Sequence, residues 1–297
     1  MAVLFFSILV GFVGARVGVI KPEISKGISS IVVKITNPLL ILSSVLSGEH
    51  LLSKVQVLEL TGLAVAFYLL TIGLSFLLPW LLHLPKDQVG VYRFMLIFSN
   101  TGFIGYPIVT SLFGEETIFY VSIFVLIFQF FCWSYGVHLI SGTDRFRISW
   151  RMLLSPCLAC AIVAYALYML DFREPLILYP ATKYIGDLTS PLIMLVIGSS
   201  LARIRMETVF TNWRLYVLIG IKMVAIPLVM FCVLRSFVAN ELILGVSTVI
   251  LCMPIATNST ILCFEYGADD TIASSGVFLS TLLCLVTIPA LMTMMFG

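Results

Sequence analysis

The sequence is poor in charged residues, which make up 11% of its 297 positions. An average globular protein contains about 25% charged residues, because its surface faces water. Seventeen basic and fifteen acidic residues are too few to cover a water-soluble protein of this size. Most of the surface must therefore face lipid, which excludes a soluble globular domain and indicates a polytopic protein embedded in the lipid bilayer.

Several functional classes lack the residues that they require. The net charge is only +2 and no basic stripe is present, so we expect no nucleic-acid partner. The sequence contains no G-x-x-x-x-G-K-[ST] loop for ATP. The seven cysteines lie in or beside apolar runs, which is typical of buried hydrophobic residues and not of a disulfide framework. We expect no cofactor and no metal site.

Long apolar runs fill most of the chain. About 20 apolar residues are needed to cross the hydrocarbon core of a bilayer as a helix. This measure predicts an all-α protein with ten transmembrane helices, at residues 2–20, 27–47, 55–82, 91–113, 117–140, 152–170, 180–202, 212–237, 241–265 and 271–296. Ten basic residues lie in the odd-numbered loops and four in the even-numbered ones. Because cytoplasmic loops collect Lys and Arg, we expect both termini on the extracytoplasmic side of a plasma or bacterial inner membrane.

The sequence contains an internal repeat. Residues 34–42 and 187–195 align without a gap at an offset of 153, and residues 113–118 resemble residues 266–272 at nearly the same offset. Two matches at nearly the same offset indicate a duplication. We therefore predict one five-helix repeat over residues 1–143 and a second over residues 144–297. Because each repeat has an odd number of spans, the second is inverted, which is the plan of many secondary transporters.

Two predicted spans contain polar and helix-breaking residues in their middle, at residues 98–107 of span four and 252–260 of span nine. Proline removes a helical hydrogen bond, and freed backbone groups at membrane depth are tolerated only in the protein interior or along a cavity. We expect both spans to be discontinuous helices that cross. Two half-helix N-termini would then converge, which suits an anion. In the alternative, the prolines only kink packed helices and the asparagines cap them.

The predicted substrate-binding residues come from these breaks and from spans two and seven. They are Asn100, Thr101, Gly102, Pro107, Pro254, Thr257, Asn258 and Ser259 at the breaks, with Asn37 and Ser190 from the other two spans. Thr36 and Thr189 could also complete a substrate shell. For the residues of spans two and seven, hydrogen bonding between helices is the alternative.

Three ionisable residues inside predicted spans are candidates for charge compensation or coupling, because such residues are costly in a bilayer. Lys34 and Asp187 occupy equivalent positions of the repeat. They either pair with each other, contact the substrate or a proton, or extend to the interface. Lys222 lies in the middle of span eight, five residues before Pro227. It either neutralises an anionic substrate or pairs with Asp187 or Glu59.

These segments resemble those of a known family. Asn-Thr-Gly-Phe-Ile-Gly-Tyr-Pro at 100–107, Asn-Pro-Leu-Leu at 37–40, Pro-Ile-Ala-Thr-Asn at 254–258 and Tyr-Gly-Ala-Asp at 266–269 resemble the signature segments of the auxin efflux carrier family. Its bacterial members are described as permeases or malonate transporters. The resemblance covers the whole chain and implies a ten-helix inverted-repeat fold, similar in outline to bile-acid symporters and sodium/proton antiporters, with a scaffold part and a moving transport part.

The resemblance also implies where the substrate binds. In plant relatives the substrate carboxylate lies near crossed helices with prolines, next to asparagines, and the matching positions are Pro107, Pro254, Asn100 and Asn258. This chain lacks the long hydrophilic central loop of the long plant members and resembles the compact bacterial type.

The sequence thus predicts a secondary transporter, or permease, of a small organic anion such as a mono- or dicarboxylate, acting by alternating access, with a homodimer as a candidate assembly. One alternative is a cation, proton or sodium-coupled transporter of the same fold. A transporter of this kind would need a carboxylate where the broken helices cross, and neither broken segment contains one. The other alternative is an integral membrane enzyme, which needs clustered His, Asp or Glu residues.

Overall fold

The computed structural model describes residues 2–46, 53–142, 156–172, 177–202 and 212–296, and these residues form an all-helical structure without a β-strand. In chain order, the helices are α1 (Ala2–Arg16), α2 (Pro22–Leu46), α3 (Lys54–Ser75), α4 (Leu78–Leu82), α5 (Val89–Ile97), α6 (Thr101–Phe113), α7 (Glu115–Ser141), α8 (Pro156–Met169), α9 (Leu178–Leu201), α10 (Trp213–Leu234), α11 (Glu241–Leu251), α12 (Asn258–Tyr266) and α13 (Asp270–Phe296).

Within the described ranges, six helices are each long and apolar enough to cross a membrane, namely α2, α3, α7, α9, α10 and α13. The prediction of one continuous helix at 55–82 is wrong, because the structure has two helices there. The first helix ends at Ser75 and a short second helix begins at Leu78, with Pro79 in its first turn, where proline is well tolerated. The predicted boundary between the repeats, at residues 143 and 144, lies outside the described residues.

Turns of π-helix precede three of the prolines. They span Val32–Thr36, Thr101–Gly105 and Ile221–Ala225, and each ends two residues before a proline. Proline has no N–H to donate to the carbonyl four residues earlier. In the first and third turns, the residue just before the proline donates to a carbonyl five residues back, as in a π-helix. The widened turn therefore accommodates the proline without ending the helix.

Contacts group the chain into two compact units, and each unit combines segments from both predicted repeats. The first unit comprises Met1–Glu59, Gly102–Leu126 and Trp150–Ile204, and the second comprises Leu60–Thr101, Ile127–Ser149 and Arg205–Gly297. The two units are defined by contacts between residues and do not coincide with the two predicted repeats. The repeat boundaries therefore stay a prediction.

The first unit is held together by close helix packing at glycines. Helix α1 packs along the second part of α9, Thr189–Leu201. A Cβ atom on Gly198 would lie 1.9 Å from the carbonyl oxygen of Ile8, and one on Gly11 would lie 2.3 Å from that of Leu195. Only glycine allows two backbones to approach so closely, which is the packing mode of small residues in membrane helices. In the same unit, α8 and the first part of α9 pack against the second half of α2.

Aromatic residues form the core of the second unit. Phe98 lies 4.5 Å from Phe94 and 5.8 Å from Phe128, measured between ring centroids. Tyr68 stacks on Phe131 at 5.3 Å. These side chains are buried, apart from that of Phe131, which is half-buried. Phe98 is the residue that follows α5, so this core holds its side chain at the point where the helix ends.

Candidate substrate site

Span four is interrupted in the second unit, between Ile97 and Thr101. Helix α5 ends at Ile97, and Phe98 is extended, with φ −97° and ψ 116°. Ser99 and Asn100 lie outside a helix, and α6 begins at Thr101. The helix stops although no proline is present at this point. Pro107 lies later, near the start of the α-helical part of α6.

Span nine is interrupted in the same unit. Helix α11 ends at Leu251, and α12 begins at Asn258. Pro254 lies in the non-helical segment between them. Residues 251–256 are all buried, so their backbone polar groups have no access to water and require partners in the protein.

The two interruptions supply these partners to each other. Ser99 and Ile255 form an isolated antiparallel bridge, which we call the crossing bridge. The N–H of Asn100 donates to the carbonyl of Pro254 over 2.8 Å, and the N–H of Ala256 donates to the carbonyl of Phe98 over 3.0 Å. The N–H of Ile255 donates to the Ser280 hydroxyl of α13 over 3.1 Å. The broken helices are thus joined through their backbones.

The crossing bridge lies next to the N-termini of two helices. Helix α6 begins two residues after Ser99, and α12 begins three residues after Ile255. A helix N-terminus offers N–H donors and about half a positive charge. The hydroxyls of Ser99 and Thr101 are buried and, within the part of the chain that the structure describes, have no hydrogen-bond partner. Such groups can bind a polar guest or water.

The structure brings five of the predicted site residues to the crossing bridge. Asn100 and Thr101 lie on one side of it, and Pro254, Thr257 and Asn258 lie on the other. Asn100 is 4% exposed and Asn258 is half-buried. The Asn258 side-chain amide donates to the sulfur of Cys132 over 3.8 Å.

Ser259 is also close to the bridge in sequence, but its hydroxyl has a local partner. It donates to the carbonyl of Ala256 over 2.8 Å and so supports the start of α12. Gly102 and Pro107 continue α6 and belong to the first unit.

Asn37 and Ser190 lie in the first unit, with the two threonines that precede them. The hydroxyl of Thr189 donates to the hydroxyl of Thr36 over 2.9 Å. The alternative of hydrogen bonding between helices is therefore confirmed for these threonines. Asn37 is buried, and its amide donates to the sulfur of Cys157 over 3.5 Å. Ser190 is half-buried.

The structure shows which partners two of the three charged candidates have. Asp187 does not pair with Lys34, which is exposed, but with Lys183 one turn earlier, over 3.3 Å. Lys183 also contacts Glu115. Lys222 is 2% exposed, and its Nζ atom donates to the carbonyl of Leu96 over 2.8 Å. The ion pairs among the described residues do not include the alternative in which Lys222 pairs with Asp187 or Glu59.

Sequence reasoning missed three contacts, namely the ion pair of Lys183 with Asp187 and the hydrogen bonds of the Ser280 hydroxyl and of the Leu96 carbonyl. The i,i+4 spacing of Lys183 and Asp187 was a usable signal for their ion pair. Neither the Ser280 hydroxyl nor the Leu96 carbonyl left such a signal. One is an ordinary serine in an apolar helix, and the other is a backbone atom.

Comparison with known proteins identifies the family of the chain. The model of a family described as membrane transport protein matches residues 1–292. An uncharacterized transporter from Methanocaldococcus jannaschii is 27% identical over 293 residues, which cover 95% of this chain and 93% of that protein. An uncharacterized transporter from Methanothermobacter thermautotrophicus is 26% identical over 297 residues, with the same coverage. These names indicate a transporter and not an enzyme. The resemblance to auxin efflux carriers is thereby confirmed, and the chain belongs to the membrane transport protein family, as a membrane transporter of the auxin efflux carrier type.

Proposed function

We propose that this protein is a secondary transporter that moves a small organic anion, such as a mono- or dicarboxylate, by alternating access. The crossing bridge is the observation that carries this proposal. It holds the start of α6 and the start of α12 within three residues of one backbone pairing. Both starts present N–H donors and partial positive charge, so an anion can bind there without a metal ion.

The proposal includes ten spans arranged as two inverted five-helix repeats. Reciprocal packing in the first unit supports this arrangement. Span one (α1) packs on span seven (α9), and span six (α8) packs on span two (α2), as expected when each repeat exchanges its first helix with the other. We further propose a plasma or bacterial inner membrane location with both termini on the extracytoplasmic side, on the basis of the Lys and Arg distribution.

A cation-coupled transporter of the same fold is the second candidate. Transporters with broken helices bind coupling cations at half-helix C-terminal ends and unwound carbonyls. The crossing bridge lies next to two such ends, those of α5 and α11. However, neither interrupted segment carries a carboxylate, and a lysine contacts the end of α5. An integral membrane enzyme is a weaker candidate, since the described part of the chain contains no group of three His, Cys, Asp or Glu residues that could hold a metal ion.

Uptake of labelled mono- and dicarboxylates into proteoliposomes tests the proposal, with and without pH and sodium gradients. We expect Asn100→Ala and Asn258→Ala to abolish uptake while protein yield stays the same. Asn258→Asp adds a carboxylate, which should also abolish anion uptake but would favour a cation. Asn240→Ala, which removes only the N-cap of α11, is the matched control.

Unchanged carboxylate uptake by both alanine variants would remove the proposed site. Cation uptake that increases in the Asn258→Asp variant would establish the second candidate in place of the first.

A further inference from the structure

Lys222 is a buried cation whose contact in the structure is with a backbone carbonyl. It lies in the π-turn of α10, and its Nζ atom is 2.8 Å from the carbonyl oxygen of Leu96. The ion pairs among the described residues join Lys54 to Asp171, and Lys183 to Glu115 and Asp187, so Lys222 takes part in none of them. A buried ammonium group is costly unless hydrogen bonds and negative charge surround it.

The interruption of span four explains why this carbonyl is available. In a continuous helix the carbonyl of Leu96 would accept the N–H of residue 100. Here the N–H of Asn100 donates to Pro254 in the crossing bridge. The carbonyl of Leu96, in the last turn of α5, therefore loses its helical donor, and the ammonium group of Lys222 replaces it.

The charges at this point are complementary. The C-terminal end of a helix carries about half a negative charge, which favours a cation. In other transporters with discontinuous helices, such ends bind Na⁺ or H⁺. Lys222 places its ammonium group at a helix end of the same kind, the C-terminal end of α5. Unlike a bound metal ion, this group is covalently attached to the protein and donates N–H hydrogen bonds.

We propose that Lys222 is a built-in cation, whose ammonium group takes the place of a coupling metal ion at the C-terminal end of α5 and thereby stabilises the crossing bridge. As far as transport is concerned, the inference rests on the proposed function. Lys222 is then a positioning residue, because its side chain acts on the site through α5. Anion uptake then requires no sodium, and removal of the side chain creates an empty cation site.

A thermal unfolding experiment on the purified protein tests the empty site without any substrate. Lys222→Ala removes three carbons and an ammonium group, which n-propylammonium chloride can supply. We expect the variant to unfold about 5 °C below the wild type because a buried carbonyl loses its donor. Propylammonium should raise this temperature with saturation, as for a ligand of the folded state. Tetramethylammonium, which has no N–H donor, should not.

Two controls complete this measurement. The wild type and Lys54→Ala, which disrupts an exposed ion pair, should not respond to propylammonium. An equal response of the wild type, or an equal effect of propylammonium and tetramethylammonium on Lys222→Ala, overturns the proposal.

Uptake of the labelled carboxylates gives a second, independent result. Lys222→Arg keeps the charge and the donors, whereas Lys222→Met keeps only the length. We expect Arg to retain uptake and Met to reduce it about tenfold or more, because the carbonyl is left without a donor. Equal uptake by the two variants, or wild-type uptake that requires sodium in place of choline, overturns the proposal. If the wild type takes up no carboxylate, the proposed function fails, while the unfolding experiment still decides on the site.

Discussion

Thr36 and Thr189 occupy the same position of the internal repeat, and their hydroxyls are hydrogen-bonded to each other over 2.9 Å. Their separation of 153 residues equals the offset at which the two repeats align. In an inverted pair of repeats, equivalent atoms approach each other only near the symmetry axis. The contact therefore marks where the axis of the proposed repeats would pass through the first unit.

This pair can be tested by a double-mutant cycle. Both threonines are buried, so Thr36→Val or Thr189→Val alone leaves one hydroxyl without its partner. We expect each to lower the free energy of unfolding by about 1 kcal/mol. The double variant should lose less than the sum, with a coupling of about 0.5–1.5 kcal/mol. Denaturant unfolding in detergent measures this, with Thr182→Val, whose hydroxyl bonds within its own helix, as the control. Strict additivity would contradict the interpretation.

The close approach of α1 and α9 predicts a strong effect of one methyl group. Gly198→Ala would place a Cβ atom 1.9 Å from the carbonyl oxygen of Ile8. The helices must then separate, and we expect a loss of stability of about 1–3 kcal/mol. Gly62→Ala is the matched control in α3, because a Cβ atom there meets nothing within 4 Å. It should stabilise the protein by up to about 1 kcal/mol through helix propensity. Equal unfolding temperatures of the two variants would contradict this account of the packing.

Ser280 should be important for the crossing bridge although it is not part of it. Its hydroxyl accepts the N–H of Ile255 over 3.1 Å. Ser280→Ala leaves this buried N–H without a partner, so we expect a loss of about 1–3 kcal/mol in unfolding free energy and slower carboxylate uptake. Ser274→Ala, also on α13, removes a hydroxyl that bonds only within its own helix and serves as the control. Identical behaviour of both variants would show that the bridge does not depend on this contact.

The sequence was informative about where helices are interrupted and less so about what the interruptions contact. Polar and helix-breaking residues at 98–107 and 252–260 mark segments within which the structure has interruptions, at 98–100 and at 252–257. The crossing bridge itself consists of backbone atoms, which every residue has, so no residue type identifies its register. Lys222 could be recognised in the sequence as a charge inside a predicted span. Its acceptor could not, because the carbonyl of Leu96 is also a backbone atom.

Pairing was one of three alternatives for Lys34 and Asp187, and the structure does not show it. Equivalence in a duplicated sequence indicates symmetry but not contact, and these two side chains are exposed on their helices. The local spacing of Lys183 and Asp187 was the better guide, since residues four apart share one helix face. At Thr36 and Thr189, by contrast, equivalence and contact coincide.

The π-turns before Pro38, Pro107 and Pro227 change how these helices can vary in evolution. An α-turn holds about 3.6 residues, and a π-turn holds about one residue more in a similar rotation. Deleting one residue within a π-turn would therefore restore an α-turn and keep the downstream residues on their present face, whereas a deletion elsewhere in these helices would rotate every following side chain by about 100°. A change in length by one residue is therefore absorbed most readily at the π-turns, although the proline would lose the room that the widened turn gives it.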